Sequence, residues 1–300
     1  MPENIKLTRE QVILLTFICV LGNIVYSHTW IDDYVDRAAW VVSLLGILLI
    51  TPLAIWIAYL GKFCPKGTIF DILEMGLGKF LAKCMSILFI VINIAVAVAQ
   101  INMFTQMLNV FFLHYTPVWI TMLILIILGV MFSNGGIQSF ARLVELLAVF
   151  GVVNYFAAFT FAFPDFFHIE YVIPVFTTSL TGLFKGTIYM LGGASECLLI
   201  LMIIVRYIPD PAKHYMWFVK GIVVSAFVFS SAILVIIGMM SPEIAKGIAF
   251  GGVNAARLIK IGNFLQGLEV LIFATYQYIA IGKITLSLYC AWTSAKKNIQ

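Results

Sequence analysis

Long apolar runs dominate this 300-residue chain and restrict what it can fold into. Apolar residues make up 62% of the sequence and charged residues 11%, and the mean hydropathy is +1.06. A helix needs about 20 apolar residues to cross a hydrocarbon layer of about 30 Å, where unpaired backbone groups are too costly for irregular structure. The composition therefore predicts an all-α polytopic membrane protein. About eight spans are predicted, at residues 12–29, 38–60, 87–113, 118–132, 143–163, 188–204, 222–240 and 265–289.

Basic residues predict the orientation, because Lys and Arg near span ends are retained in the cytoplasm. With an inside N-terminus, twelve of the eighteen lie on the cytoplasmic side, five lie outside and Lys283 falls within a span. We therefore expect both termini to be cytoplasmic. The first run is not followed by a small-residue cleavage pattern, so we expect it to stay as the first span.

No phosphate-binding loop, nucleophile elbow or paired-histidine motif occurs in the sequence, so no enzyme is predicted. The five cysteines are scattered and odd in number, and the four histidines lie near different span ends. This distribution argues against a disulfide framework and a metal site. No basic run is interleaved with aromatic residues as in nucleic-acid-binding surfaces. We expect no cofactor and no nucleic-acid partner.

The sixth run contains helix-breaking residues and a carboxylate, in the order Gly192, Gly193, Ala194, Ser195, Glu196. Glycines free backbone groups that lipid cannot satisfy, and an intramembrane carboxylate has to face protein or a wet cavity. The pattern favours a binding site. The alternative is close helix packing, with Glu196 bonded to a hydroxyl group.

A second interruption, at Gly22 and Asn23, lies in the first run, five spans before the sixth. Transporter folds built from two inverted five-helix halves place their broken helices at corresponding positions, with substrate between them. We expect the first helix to unwind near Gly22, the sixth near Gly192 to Ala194, and the two breaks to face each other. The N-terminus of a half-helix would then bind a carboxylate, and freed backbone carbonyls would bind a cation or an amino group. An amino acid carries both a carboxylate and an amino group, so it fits such a site.

Two loops carry helical patterns. Thr68 is a plausible N-cap with Asp71 three residues on, which predicts a short amphipathic helix on the cytoplasmic face. After the seventh run, a long outside segment starts at Ser241 and has a helical pattern at 255–259. A segment of this length is typical of a lid or docking surface, or of plain covering structure.

The chain resembles the B subunit of spore nutrient germinant receptors (GerAB type), a branch of the amino acid/polyamine/organocation superfamily with the LeuT-like inverted-repeat fold. The resemblance covers the whole chain and depends on the order and spacing of short segments, namely residues 7–11, 65–73, 77–79, 136–137, 141–143, 171–176, 193–196, 255–259, 264 and 268–269. It implies one transmembrane domain over 1–300, with a first five-helix half at 1–163 and an incomplete second half at 164–300.

The resemblance also implies a function without catalysis. A member of this family is a subunit in the inner membrane of endospores that senses an amino acid or similar small nutrient and triggers germination, working with a larger A subunit and a lipoprotein C subunit. The implied ligand pocket surrounds the broken first and sixth helices. The residues carried over are Gly22, Asn23, Gly192, Gly193, Ala194, Ser195 and Glu196.

Polar residues of the third and eighth spans complete the candidate site. In this fold the third span contributes facing polar groups, here Asn93, Gln100 and Asn102, unless they form plain helix-to-helix hydrogen bonds. Lys283 lies deep in the eighth span and is a candidate for ion or proton coupling. Its ammonium would stand in for a bound sodium ion, or its stem would snorkel to the interface.

The chain departs from the family pattern in two ways. Ile24 and Thr29 stand where the family has a glycine and a proline, so the first break is expected to be shallower. Family members carry about ten spans, and this chain ends after the eighth, so another chain would cover the exposed face or the chain would be a shortened paralogue. Two other functions stay open: a proton- or sodium-coupled amino acid transporter, and a truncated subunit with an assembly role only.

Overall fold

A computed structural model describes residues 6–24, 35–63, 67–173, 178–259 and 269–299. These residues form twelve α-helices and, within the described ranges, no β-strand. In chain order the helices are α1 (Arg9–Leu21), α2 (Ala39–Leu48), α3 (Thr51–Leu60), α4 (Ile69–Leu77), α5 (Lys79–Phe111), α6 (Val118–Asn134), α7 (Gly136–Phe166), α8 (Leu180–Ile204), α9 (Met216–Met240), α10 (Pro242–Gly247), α11 (Gly251–Leu258) and α12 (Glu269–Ile299).

The all-α polytopic membrane class is confirmed by the lengths of these helices. Within the described residues, six helical segments are long and apolar enough to cross a membrane, and they coincide with the second, third and fifth to eighth predicted runs. The fourth run forms α6, a shorter apolar helix. The first run is described only as far as Ile24, so its last five residues lie outside the described residues. Of the family segments, residues 65–66, 174–176, 264 and 268 also lie outside them.

The second span, Ala39–Phe63, is divided into α2 and α3 by a turn before Pro52. A proline has no N–H to continue the helical ladder. Just before Pro52, the N–H of Ile50 bonds the carbonyl of Ile47, three residues earlier, at 3.2 Å. This bond forms a tight turn before α3 begins. Both parts of the span pack on α8 and α9.

Helix α1 lies at the centre of the bundle and packs against α7, α8, α9 and α12. It begins with a capping box, in which Thr8 and Gln11 satisfy each other's backbone N–H groups. The Nε2 of Gln11 also donates to Glu145 on α7 at 3.2 Å. Val12, Leu15 and Ile18 are completely buried. Helix α1 therefore contacts helices from the middle and from the end of the chain.

The last helix, α12, packs along α5 and also touches α6 and α7. Small residues let these helices approach closely, as is usual for helix pairs in membranes. A Cβ atom at Gly129 of α6 would lie 2.8 Å from the Ile284 side chain of α12. The same applies between α12 and α1, where a Cβ atom at Gly282 would lie 2.7 Å from Ile18.

The predicted helix after Thr68 is confirmed as α4. Thr68 and Asp71 form the expected capping box, which satisfies two N–H groups at the start of the helix. Ile69 and Phe70 are buried, and the ring of Phe70 packs edge-on against Phe89 of α5 at 5.0 Å between ring centroids. This helix therefore has one apolar face that packs against α5.

The segment after α9 also contains the predicted helix, since 255–258 lies within α11. Its contacts reach other parts of the same end of the bundle. Lys246 of α10 pairs with Asp36, which precedes α2. The guanidinium of Arg257 in α11 lies 4.5 Å from the ring centroid of Phe111 and its Nε lies 3.9 Å from Glu269. These contacts connect the segment to the residue before α2, to the end of α5 and to the start of α12.

We predict that Gly46→Ala destabilises the protein. A Cβ atom at Gly46 of α2 would lie 2.6 Å from the Met190 side chain and 3.0 Å from the carbonyl oxygen of Thr187 on α8, so the two helices would have to separate. Overpacking of this kind costs about 1–3 kcal/mol. Thermal unfolding in detergent measures the loss.

Gly76→Ala is the matched control for this prediction. Gly76 is also helical, but a Cβ atom there would meet no described atom within 4 Å apart from its own helix backbone and chain neighbours. Its unfolding temperature should be unchanged or slightly higher, because Ala is the better helix former. Equal effects of the two substitutions would contradict the close packing of α2 on α8.

Candidate functional site

Lys283 is the most deeply buried charged residue in the candidate site. It lies in α12, and none of its side chain is exposed. Its aliphatic stem runs across Gly22, where a Cβ atom would come within 2.1 Å of the lysine Cδ and 3.1 Å of its Cβ and Cγ. Gly22 is therefore needed because it leaves room for the lysine.

The ammonium group of Lys283 ends between two oxygen acceptors. Its Nζ donates to Oε2 of Glu196 on α8 at 2.6 Å and to Oδ1 of Asn23 at 2.5 Å. The Glu196 side chain is 33% exposed, whereas the lysine is fully enclosed. A buried ammonium requires a carboxylate partner of this kind, because an unpaired charge in the membrane interior is very costly.

Asn23 connects this ion pair to the rest of the bundle. It lies in the turn that follows α1, and its Nδ2 donates to the carbonyl of Gly193 at 2.8 Å and to Oε2 of Glu196 at 3.4 Å. Its Oδ1 also accepts a hydrogen bond from Nε2 of Gln100 on α5 at 3.3 Å. We call Asn23, Gln100, Glu196 and Lys283 the polar cluster. It joins the end of α1 to α5, α8 and α12.

The structure therefore brings six of the predicted site residues together: the four of the polar cluster with Gly22 and Gly193. Ser195 bonds within its own helix, to the carbonyl of Gly192 at 2.6 Å. Ala194 is buried in the core next to the cluster. Within the part of the chain that the structure describes, no atom outside the backbone of its own helix and its chain neighbours lies within 4 Å of where the Cβ of Gly192 would be. Their predicted role in ligand binding stays a prediction.

Two predicted residues of the third span lie apart from the cluster. Asn93 is buried, and its Nδ2 donates to the carbonyl of Phe89 one turn earlier in α5 at 2.9 Å. Asn102 is exposed and accepts a hydrogen bond from Gln106 at 3.2 Å. Within the described contacts, both bonds are internal to α5. Gln100 is the residue of this helix that reaches the polar cluster.

The expected break in the sixth span is wrong. Helix α8 runs without interruption from Leu180 to Ile204, through Gly192, Gly193 and Ala194. Two glycines lower helix stability by only about 1 kcal/mol each, which the packing of a long apolar helix offsets. Gly193 instead provides space for a neighbour, since its Cβ position lies 3.7 Å from Nδ2 of Asn23.

The first span departs from a helix near Gly22, where it was predicted to unwind. Helix α1 stops at Leu21, and Gly22, Asn23 and Ile24 form turns. The turn directs Asn23 towards α8, and no left-handed backbone is required, because Gly22 has φ −55°. The half-helix N-terminus expected on α8 is absent from the described residues, so a ligand carboxylate has no helix dipole there.

Sequence reasoning did not predict the pairing of Lys283 with Glu196. The structure excludes the snorkelling alternative for Lys283, because its Nζ ends on Glu196. The signal was present in the sequence: Lys283 and Glu196 are opposite charges in two different apolar runs, and intramembrane charges usually pair with one another. Their separation of 87 residues hides this pairing from any local pattern.

A separate cavity of about 380 Å³ lies between α1, α7, α9, α11 and α12. Its walls are almost entirely apolar and include Phe17, Leu21, Val228 and Ile272, and no member of the polar cluster lines it. It offers no charged group to an amino acid. The polar cluster, rather than this cavity, is the candidate functional site.

Comparison with known proteins gives a consistent family assignment. The family described as "Spore germination protein" matches residues 6–299. Three relatives come from Bacillus subtilis (strain 168). Spore germination protein YndE is 23% identical over 266 residues, 87% of this chain and 72% of the relative. Spore germination protein B2 is 21% identical over 244 residues (80% and 65%), and putative spore germination protein YfkT 24% over 257 residues (84% and 68%).

These relatives are longer than the segment they share with this chain. The alignments span between 65% and 72% of their lengths, about two thirds. The resemblance read from the sequence is confirmed by the family match.

We predict that Gly22 and Lys283 are energetically coupled. Gly22→Ala should destabilise the protein, because the new methyl group would overlap the lysine stem. In a Lys283→Ala background, which removes Cγ and Cδ, the same substitution should cost much less. A double-mutant cycle of thermal stability should give a coupling of about 0.5–3 kcal/mol. Additive losses would show that the stem does not lie across Gly22.

Proposed function

Because the chain belongs to the spore germination protein family, we propose that it is a germinant receptor membrane subunit that binds an amino acid or similar small nutrient at the polar cluster and thereby triggers germination. The observation that carries the proposal is the ion pair of Lys283 with Glu196, hydrogen-bonded to Asn23 and linked through it to Gln100. Polar groups that converge inside a membrane bundle support a binding site, since their burial otherwise costs stability.

The exposure of Glu196 supports a site that a ligand can reach. A third of its side chain is accessible, although its partner Lys283 is fully buried. Here the carboxylate is open on one side and held by Lys283 and Asn23 on the other.

The connections of the cluster support signalling. Asn23 follows α1, Gln100 belongs to α5, Glu196 to α8 and Lys283 to α12. A ligand that takes any of these hydrogen bonds changes contacts among four helices at once. A conformational response requires that the ligand interact differently with two states of the protein, and exchange of these bonds would supply that difference.

The setting of this function is also proposed. The family supports a spore inner membrane location, with both termini cytoplasmic as the basic residues predict. The proposed partners are the germinant receptor A subunit and the lipoprotein C subunit. An assembly role without ligand binding would retain these partners and give no nutrient dependence.

A second candidate function is proton- or sodium-coupled amino acid transport. The observation that favours it is the position of Lys283, whose ammonium is held between α1, α8 and α12 where a cation could otherwise bind. Uptake into proteoliposomes separates the two functions. A transporter must accumulate labelled amino acid when an ion gradient is imposed, whereas a receptor need not.

We predict that Glu196→Gln abolishes the nutrient response of spores that depend on this receptor. The amide keeps the shape of the side chain but loses the charge that Lys283 and a ligand amine require. The measurement is germination rate against nutrient concentration, at matched protein level in the spore membrane.

Glu243→Gln is the control for this experiment. Glu243 is an exposed carboxylate in α10, away from the polar cluster, and its substitution should leave the dose response unchanged. An unchanged response in Glu196→Gln spores would mean that the cluster is structural and that the nutrient binds elsewhere.

A further inference from the structure

We propose that Lys283 makes the site selective for zwitterions, in that an α-amino acid enters by separating Lys283 from Glu196. The ligand ammonium then binds Glu196 and the ligand carboxylate binds the ammonium of Lys283. This inference rests on the proposed function. It assigns Lys283 the role of a specificity-determining residue, distinct from the sodium substitute expected from the sequence.

The unused atoms of the ion pair permit this exchange. Both described hydrogen bonds to Glu196 end on Oε2, from Lys283 and from Asn23, and Oε1 accepts none from the described residues. The ammonium of Lys283 has three donors, and the described bonds use two of them. A ligand can therefore begin to bind at Oε1 before the pair has opened.

The charge balance of the site sets the selectivity. The empty cluster contains one positive and one negative side chain, and a bound zwitterion leaves the total charge at zero, with each charge next to an opposite one. A simple amine would leave an excess positive charge beside the fully buried Lys283. A simple carboxylate would leave an excess negative charge beside Glu196. Excess charge in a buried site is strongly unfavourable.

The continuity of α8 makes Lys283 the natural partner for the ligand carboxylate. A broken helix could bind a carboxylate through free N–H groups at a half-helix N-terminus. Here α8 has no break between Leu180 and Ile204, so its N–H groups at this depth are committed to the helical ladder. The ammonium of Lys283 is the cationic group that remains in the cluster.

The surface beside Glu196 provides space for the ligand. Gly192 lies one turn before Glu196, on the same face of α8, and among the described residues no atom outside its own helix backbone and chain neighbours lies within 4 Å of its Cβ position. The side chain of an amino acid bound to Oε1 can extend over this glycine. Gly192→Leu should therefore lower the affinity at least about 10-fold without disturbing the helix, whereas Gly192→Ala should have a smaller effect.

The test measures binding to the full chain in lipid nanodiscs. The probes are the common L-amino acids, followed by matched sets that lack one charge: L-alanine with ethylamine and propionate, and L-leucine with 3-methylbutylamine and 4-methylpentanoate. We expect saturable binding of at least one amino acid. Its amine and its carboxylic acid should bind on the order of 100-fold more weakly.

The double variant Glu196→Gln/Lys283→Met tests whether the ion pair is the source of this selectivity. It is neutral and similar in size to the pair, so it keeps the fold without leaving a lone charge. It should lose affinity for the zwitterion on the order of 100-fold, and the difference between the zwitterion and its amine should fall below about 10-fold. Glu243→Gln serves as the control and should bind as the unmodified chain does.

The outcomes separate this inference from the proposed function. Binding of the amine or the carboxylic acid as tight as that of the amino acid would overturn zwitterion selection and leave the receptor proposal standing. Selectivity that persists in the double variant would show that other residues select the ligand. No saturable binding of any probe by the folded chain would overturn both.

Discussion

The ion pair between Lys283 and Glu196 is the interaction on which the centre of this bundle depends. A lysine with no exposed surface is costly in a membrane protein unless a carboxylate and hydrogen-bond acceptors surround its ammonium. Glu196 and Asn23 provide these groups. The rest of the local structure follows from this requirement. Gly22 lacks a side chain where the lysine stem passes, and α1 ends one residue earlier so that the turn can present Asn23.

The glycines of the sixth span contribute to this cluster without breaking the helix. Gly193 contributes a carbonyl that accepts a hydrogen bond from Asn23 and leaves space for the incoming amide. Gly192 adds no side chain beside Glu196, and no described side chain lies within 4 Å of its Cβ position. Both are compatible with a helix, whose ladder continues through them. The two glycines therefore contribute a carbonyl acceptor and space to the site. The charged groups of the site are the side chains of Glu196 and Lys283.

Much of the fold was predictable from the sequence, because membrane insertion imposes length and polarity on each helix. Apolar runs located six long spans, and the Thr68–Asp71 pattern located α4 through its capping box. Asn23, Gln100 and Glu196 were recognised as polar residues in apolar surroundings. The partners of these residues were not predictable, because a local residue pattern does not show which helices lie next to each other in the bundle. The break at Gly192 was wrong because a low helix propensity does not decide structure where tertiary packing holds the helix.

The most direct test of the central ion pair is the thermal stability of three variants in detergent: Lys283→Met, Glu196→Gln and the two together. Removing one partner leaves the other charge unpaired, which costs about 3–5 kcal/mol for a fully buried pair and less for the partly exposed Glu196. The account predicts that the double variant unfolds at a higher temperature than Glu196→Gln alone, which retains the buried ammonium. A double variant whose loss equals the sum of the two single losses would contradict it, because Lys283 and Glu196 would then contribute independently.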